Sequence, residues 1–276
     1  MTVNVIYLSK EGTVHATDSL IVDQLKNPVP ASSGKAKIVA LPDLQGAMSW
    51  FGTAALGQDW KATDWLITEA AKYKGKPPDE FAGLLAADLT DLFWKKTGSV
   101  LPKLGMGIHL TFYETVDGNQ IPELIWITNF NTITALGSYK PEHGPGFVAQ
   151  RQTFHTITKQ TDFENHAKDA YRGIVADYLN LISPLYYQNG DILLTDPSAT
   201  LTEQMIVNLM CRKELSTTDP LRIFGKRALY RAEIAALTQK VFSAANKIGV
   251  GTPCFNIIIP PTGAIITDTP TIPGML

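Results

Sequence analysis

Four short strand-like runs precede any helix in this chain, and that order constrains the fold more than any other feature. Val3 to Leu8 is rich in β-formers, Lys10-Glu11-Gly12 reads as a turn, and Thr13 to Thr17 returns as a partner strand. Lys37 to Leu41 and Ala47 to Phe51 supply two more strands, with Pro42-Asp43 and Gly46 between them. The stretch from Asp23 to Gly34 carries two prolines and two serines and reads as a loop.

Two helices follow. The first is expected from about Asp59 to Tyr73. The second starts at Pro77-Pro78, a good first-turn signal, with Phe81, Leu85, Leu89 and Phe93 at helical spacing. Strands return over Gly107 to Thr115 and Glu123 to Phe130, joined at Asp117-Gly118-Asn119, and Gly137 to Gly146 has loop composition. Capping-box patterns at Thr161–Glu164 and Thr200–Glu203 open further helices, toward Ile182 and Leu215, and a third is expected over Leu221 to Lys247. Phe255 to Ile259 and Ala264 to Thr267 are the closing strands. Alternating strand–helix units are absent. An α+β fold, two antiparallel sheets stacked between helix layers, therefore fits this order better than a parallel doubly wound sheet. The chain reads as one domain over 1–276, with a helical insertion around 153–190 and a loose tail over 268–276.

Composition excludes several functions. The 276 residues are 45% hydrophobic and 18% charged, enough for a large core. A net charge of −2 gives no basic field for nucleic acid or membrane. Cys211 and Cys254 form no Cys-x-x-C motif and fit a reducing compartment. No signal-peptide pattern opens the chain, and no apolar run reaches the ~20 residues of a spanning helix. The expected location is the cytoplasm. The five histidines show neither metalloprotease spacing nor a zinc cluster, so no metal and no cofactor are expected.

Chemistry centres on Thr2. Behind a removable Met1, a threonine carries amine base and hydroxyl nucleophile in one residue. A free α-amine, with a pKa of roughly 7.7–8, can accept the hydroxyl proton near neutral pH.

The segment Gly12-Thr13-Val14-His15-Ala16-Thr17-Asp18-Ser19, together with Thr2, resembles the proteasome β-subunit family and its bacterial proteasome-like peptidase relatives. Gly34-Lys35-Ala36-Lys37-Ile38-Val39 is similar to the family's lysine segment, and Ala47 to Gly52 to its oxyanion strand. The resemblance implies an N-terminal nucleophile hydrolase with a four-layer αββα sandwich. Thr2 would be the nucleophile, Lys37 the ammonium that lowers the amine pKa, Asp18 the partner of Lys37, and Gly52 the backbone oxyanion donor. Thr17, Ser19 and Ser49 would contact substrate. Homo-oligomeric assembly, as a ring or something smaller, and a peptide or amide substrate are also implied.

The residues admit plainer roles. Asp18 could cap a turn with Ser19, Lys35 and Lys37 could be solvated charges beside a strand, and Gly52 could be only a tight corner. Trp50, Trp60 and Trp65 could be core, a subunit contact or an apolar specificity wall. The turn Asn246–Thr252 carries no acid where those relatives have one. Two alternatives to a threonine peptidase therefore stand: a non-catalytic structural or binding protein on the same fold, and an acyl-transferring amidase.

Overall fold

The computed structural model describes residues 4–9, 12–21, 36–56, 59–97, 105–116, 118–130, 143–152, 185–189, 222, 225–226, 228–229, 232–233 and 254–268. Strands β1 (Asn4–Ser9) and β2 (Gly12–Asp18) form an antiparallel hairpin. β3 (Ile38–Leu41) and β4 (Gly46–Gly52) follow, joined by a single 3-10 turn at Pro42–Leu44. A two-stranded ribbon, β5 (Ala55–Leu56) with β6 (Trp60–Lys61), leads into helices α1 (Ala62–Lys72) and α2 (Pro78–Thr97). Then come β7 (Met106–Val116), β8 (Asn119–Phe130), β9 (His143–Gln152), β10 (Leu185–Asn189), β11 (Cys254–Ile259) and β12 (Ile266–Asp268).

These strands make two five-stranded sheets. The first runs β10-β1-β2-β11-β12 and the second β3-β4-β7-β8-β9. Every pairing within them is antiparallel, as the sequence order requires.

Strand alternation explains how the layers stack. In the second sheet, Met48, Trp50, Leu110 and Ile125 point to one face, where α1 and α2 cover them in a single apolar cluster. Phe81, Leu85, Leu89 and Phe93 recur every four residues and form the stripe of α2 buried there. Full burial of each such side chain contributes about 1.5–3 kcal/mol. In the first sheet, Val5, Val14, Ala16 and Ile258 face the other way and pack against Ala228, Leu229 and Ala232 of a helical segment. The remaining faces of the two sheets meet. Ile38 and Ala47 touch Ile257 and Ile259 there, and Ile6 and Leu8 touch Leu124.

Several boundaries differ from the sequence expectation. Helix α1 starts at Ala62 rather than Asp59, because Trp60 and Lys61 are held in the ribbon with Ala55 and Leu56. Residues 143–146, expected as loop, begin β9 despite the run Gly144-Pro145-Gly146. β9 is an edge strand, where a proline without N–H is tolerated, and its register on β8 shifts between Thr128 and Phe130. Within the stretch expected as a helical insertion, 153–184 lies outside the described residues, and 185–189 is strand β10 paired to β1. The loop expected over Asp23 to Gly34, the helices toward Ile182 and Leu215, and the tail beyond Asp268 also lie outside them. The β7–β8 hairpin turns where expected, with Gly118 at φ +78°, a conformation that favours glycine. No helix among the described residues is long and apolar enough to cross a membrane.

Candidate functional site

Asp18 ends β2, and Lys37 immediately precedes β3 on the other sheet. Their side chains meet: Lys37 Nζ lies 2.9 Å from Asp18 Oδ1, with side-chain exposures of 1% and 0%. Asp18 Oδ2 also accepts the Leu20 backbone N–H at 3.1 Å, so both carboxylate oxygens are engaged. Lys37 Nζ sits 5.7 Å from the centre of the Trp50 ring, whose Nε1 donates to Thr63 Oγ1 at 3.0 Å. Isolated charges this deep would be strongly penalised by desolvation; the pair is tolerable because each supplies the other's countercharge. The plainer readings of Asp18 as only a turn cap and Lys37 as a solvated charge are excluded by this burial.

Cys254 lies directly opposite Asp18 on β11 and is buried. Burial pushes its thiol well above the ordinary range, and the negative charges of Asp18 and Glu233 push it further, against the opposing effect of Lys37. Glu233 belongs to the helical segment that packs over this end of the first sheet and is itself buried. Thr17 and Ser19 flank Asp18. Both are fully buried, and their hydroxyls have no hydrogen-bond partner among the described residues.

Gly52 is exposed at the end of β4 with φ +92°. A Cβ there would come 2.3 Å from the Gly105 carbonyl oxygen, so the close approach of two backbones already demands glycine at this corner. Gly52 lies at the same end of the sandwich as Asp18. His15 on β2 contacts Ser49 and Thr111; Asn4, paired with Thr17, contacts Ser49 and His109. Movement from His15 toward Asp18 thus parallels movement from Ala47 toward Gly52, since Ala47 pairs with Thr111 and Ser49 with His109. β1 also begins at this end. Thr2 itself lies outside the described residues.

Ser49, expected at the substrate, has a different neighbourhood. It is fully buried between the sheets, where its Oγ donates to Asn4 Oδ1 at 3.0 Å and lies 2.7 Å from His15 Nδ1. His15 Nε2 is 2.7 Å from Thr111 Oγ1, and Asn4 Nδ2 is 3.1 Å from His109 Nδ1. Burial lowers both imidazoles to about 3, with mutual repulsion adding to the effect on His15. Nothing in the spacing of His15 and His109 along the chain predicts that they join. The one local signal is the alternation in β2, where Thr13, His15 and Thr17 share a face opposite Val14 and Ala16. That pattern ordinarily marks a solvated face, and here the polar side is the buried seam.

Of the tryptophans, Trp50 and Trp60 are 1% and 4% exposed within the α1–α2 cluster, which makes them core, and the partly buried Trp65 packs on Trp60. Among the described residues no group of histidine, cysteine, aspartate and glutamate could hold a metal.

No protein-family model matches the chain, and no curated protein matches it. Among solved structures, the chain is similar to Anbu (ancestral beta-subunit) from Yersinia bercovieri, with 13% identity and a TM-score of 0.50 over 99% of this chain and 89% of that one. Two Anbu structures from Hyphomicrobium sp. strain MC1, one of them a Gly-1 mutant, have TM-scores of 0.47 and 0.49. They are 15% and 14% identical and cover 96% and 97% of this chain, each match spanning 86% of the neighbour. The similarity is one of fold. The expectation that Gly12 to Ser19 marks a member of the proteasome β-subunit and bacterial proteasome-like peptidase family is therefore corrected. At 13% identity the likeness to the Yersinia bercovieri structure shows the fold alone.

Proposed function

We propose that the chain is an N-terminal threonine amidohydrolase, with Thr2 as nucleophile once Met1 is removed. The observation that supports it best is the buried Asp18–Lys37 pair at the end of the sandwich where β1 begins. Two residues of chain span at most about 7 Å, so Thr2 is tethered within that distance of Asn4. Asn4 in turn pairs with Thr17, next to Asp18. We read the whole as a four-layer αββα sandwich, with α1 and α2 on one side and the helical segment carrying Ala228 to Ala232 on the other.

In this reading the free amine takes the Thr2 hydroxyl proton as the oxygen attacks an amide carbonyl. The Lys37 ammonium, held by Asp18, disfavours a second positive charge nearby and so keeps the amine neutral at working pH. The Gly52 N–H steadies the oxyanion; one such donor is worth about 3–4 kcal/mol in acyl-transfer sites. The amine returns its proton to the departing nitrogen. Water then cleaves the ester left on Thr2. Thr17 and Ser19 flank Asp18 with buried hydroxyls that have no partner among the described residues, and the proposal places them beside the substrate. A peptide or small amide as substrate, self-association and a cytoplasmic location belong to the same proposal.

Intact-mass measurement and labelling with a threonine-directed β-lactone or epoxyketone test it. The expected result is a chain starting at Thr2, one covalent adduct on that residue, and amide cleavage lost in Thr2→Ala with the fold retained. Complete retention of Met1 with no adduct leaves the non-catalytic reading. Transfer of the acyl group to an added amine in place of water identifies the acyl-transferring amidase.

A further inference from the structure

The hydrogen bonds between the sheets have a single direction. Ser49 Oγ donates its proton to Asn4 Oδ1, so toward His15 it can only accept. That assigns the proton of His15 to Nδ1 and leaves Nε2 as an acceptor for the Thr111 hydroxyl. Asn4 Nδ2 donates onward, so His109 Nδ1 accepts and its proton is on Nε2. The chain therefore runs Thr111 to His15 to Ser49 to Asn4 to His109, and it needs both rings neutral.

We infer that this seam is an acid-release clamp: protonation of His15 and His109 breaks the chain and frees the end of the first sheet where β1 begins from the second sheet. Protonated His109 would turn an N–H against the Asn4 amide N–H. Protonated His15 could keep Thr111 only by reversing it, and would bury a charge facing a second imidazole. Ile6 and Ile257 flank His15 on β1 and β11, Ser49 and Trp126 flank His109 on β4 and β8, and the Phe51 ring packs on it. Asp18 and Lys37, at the end where β1 begins, are matched to each other. Among the described residues Tyr113 also faces the seam, and its hydroxyl donates to the Ile259 carbonyl at 2.7 Å.

Sign and window follow from the two imidazoles, both lowered in the folded state from 6.5 to about 3. The unfolded chain binds more protons between those values, so the clamp's stability is complete above 6.5 and is lost as pH falls toward 3. From pH 7 to 5 each histidine should raise the unfolding constant about 25-fold.

The test follows the assigned imidazole signals and the backbone-amide exchange of the whole protein from pH 8 to 5, with urea unfolding at each pH. The expected result is that His15 and His109 do not titrate with an ordinary midpoint while folded, and that amides of β1 lose protection before those of β7 and β8 as pH falls. The double variant His15→Gln with His109→Gln should lose most of the pH dependence of unfolding between 7 and 5. Either ring titrating near 6.5 with β1 protection intact would overturn the proposal, as would a variant that keeps the wild-type pH dependence. Should the variant fail to fold, the wild-type imidazole and exchange data decide alone.

Discussion

Lys37 on one sheet and Asp18 on the other form an ion pair 2.9 Å long that solvent barely reaches. Removing one charge abandons the other in the interior. Lys37→Met is therefore expected to cost about 3–5 kcal/mol in urea unfolding at pH 7. The double variant Asp18→Asn with Lys37→Met should recover a large part of that loss, because no uncompensated charge remains. Equal losses in the single and double variants would show that packing, rather than charge, sets the cost.

Gly52→Ala should destabilise the corner of β4. The conformation at φ +92° costs a side-chain-bearing residue roughly 1–3 kcal/mol. The added methyl also meets the Gly105 carbonyl at 2.3 Å, and Thr53, which donates to that carbonyl from both N and Oγ1, would shift with it. Thermal unfolding is the readout, and an unchanged midpoint would mean the corner relaxes freely.

Ser49→Ala removes one hydroxyl and strands two partners, Asn4 Oδ1 and His15 Nδ1. Each buried unsatisfied group costs about 1–3 kcal/mol. The variant should therefore lose more stability than a surface serine would, measured by the urea midpoint. The effect belongs to folding, since the side chain is closed off from solvent.

Leu89→Ala on α2 is expected to cost about 2–5 kcal/mol, because Leu89 is fully buried in the cluster between α2 and the second sheet. Trp94→Ala, on the same helix but 46% exposed, should cost far less. The contrast between the two urea midpoints checks which stripe of the helix faces inward.

Cys254 should resist alkylation. Its raised thiol and burial leave little thiolate at pH 8. Peptide mapping after brief iodoacetamide treatment should find it unmodified in the folded protein and modified after denaturation. Rapid labelling of the native chain would contradict the packing around Asp18.

The antiparallel two-sheet architecture was legible because it depends on local patterns. β1, β2, β4, β7, β8 and β11 sit where strand-formers alternate or run together, and α2 starts at its proline pair. β9 was not legible, because Gly144, Pro145 and Gly146 carry a turn composition that pairing to β8 overrides. The meeting of Asp18 with Lys37 was foreseen only through a resemblance that the comparisons do not uphold as kinship. Their contact rests instead on 2.9 Å of geometry.

Order and type of the elements follow from periodicity and turn chemistry, which act over a few neighbouring residues and are written along the chain. Which polar residues end up buried does not. Among His15, Ser49, Asn4, Thr111 and His109, hydrogen-bonded partners lie up to 105 positions apart and meet only when two sheets close face to face. A polar strand face looks the same in sequence whether water or another sheet covers it; desolvation, and the hydrogen bonds it enforces, exist only after the layers have packed.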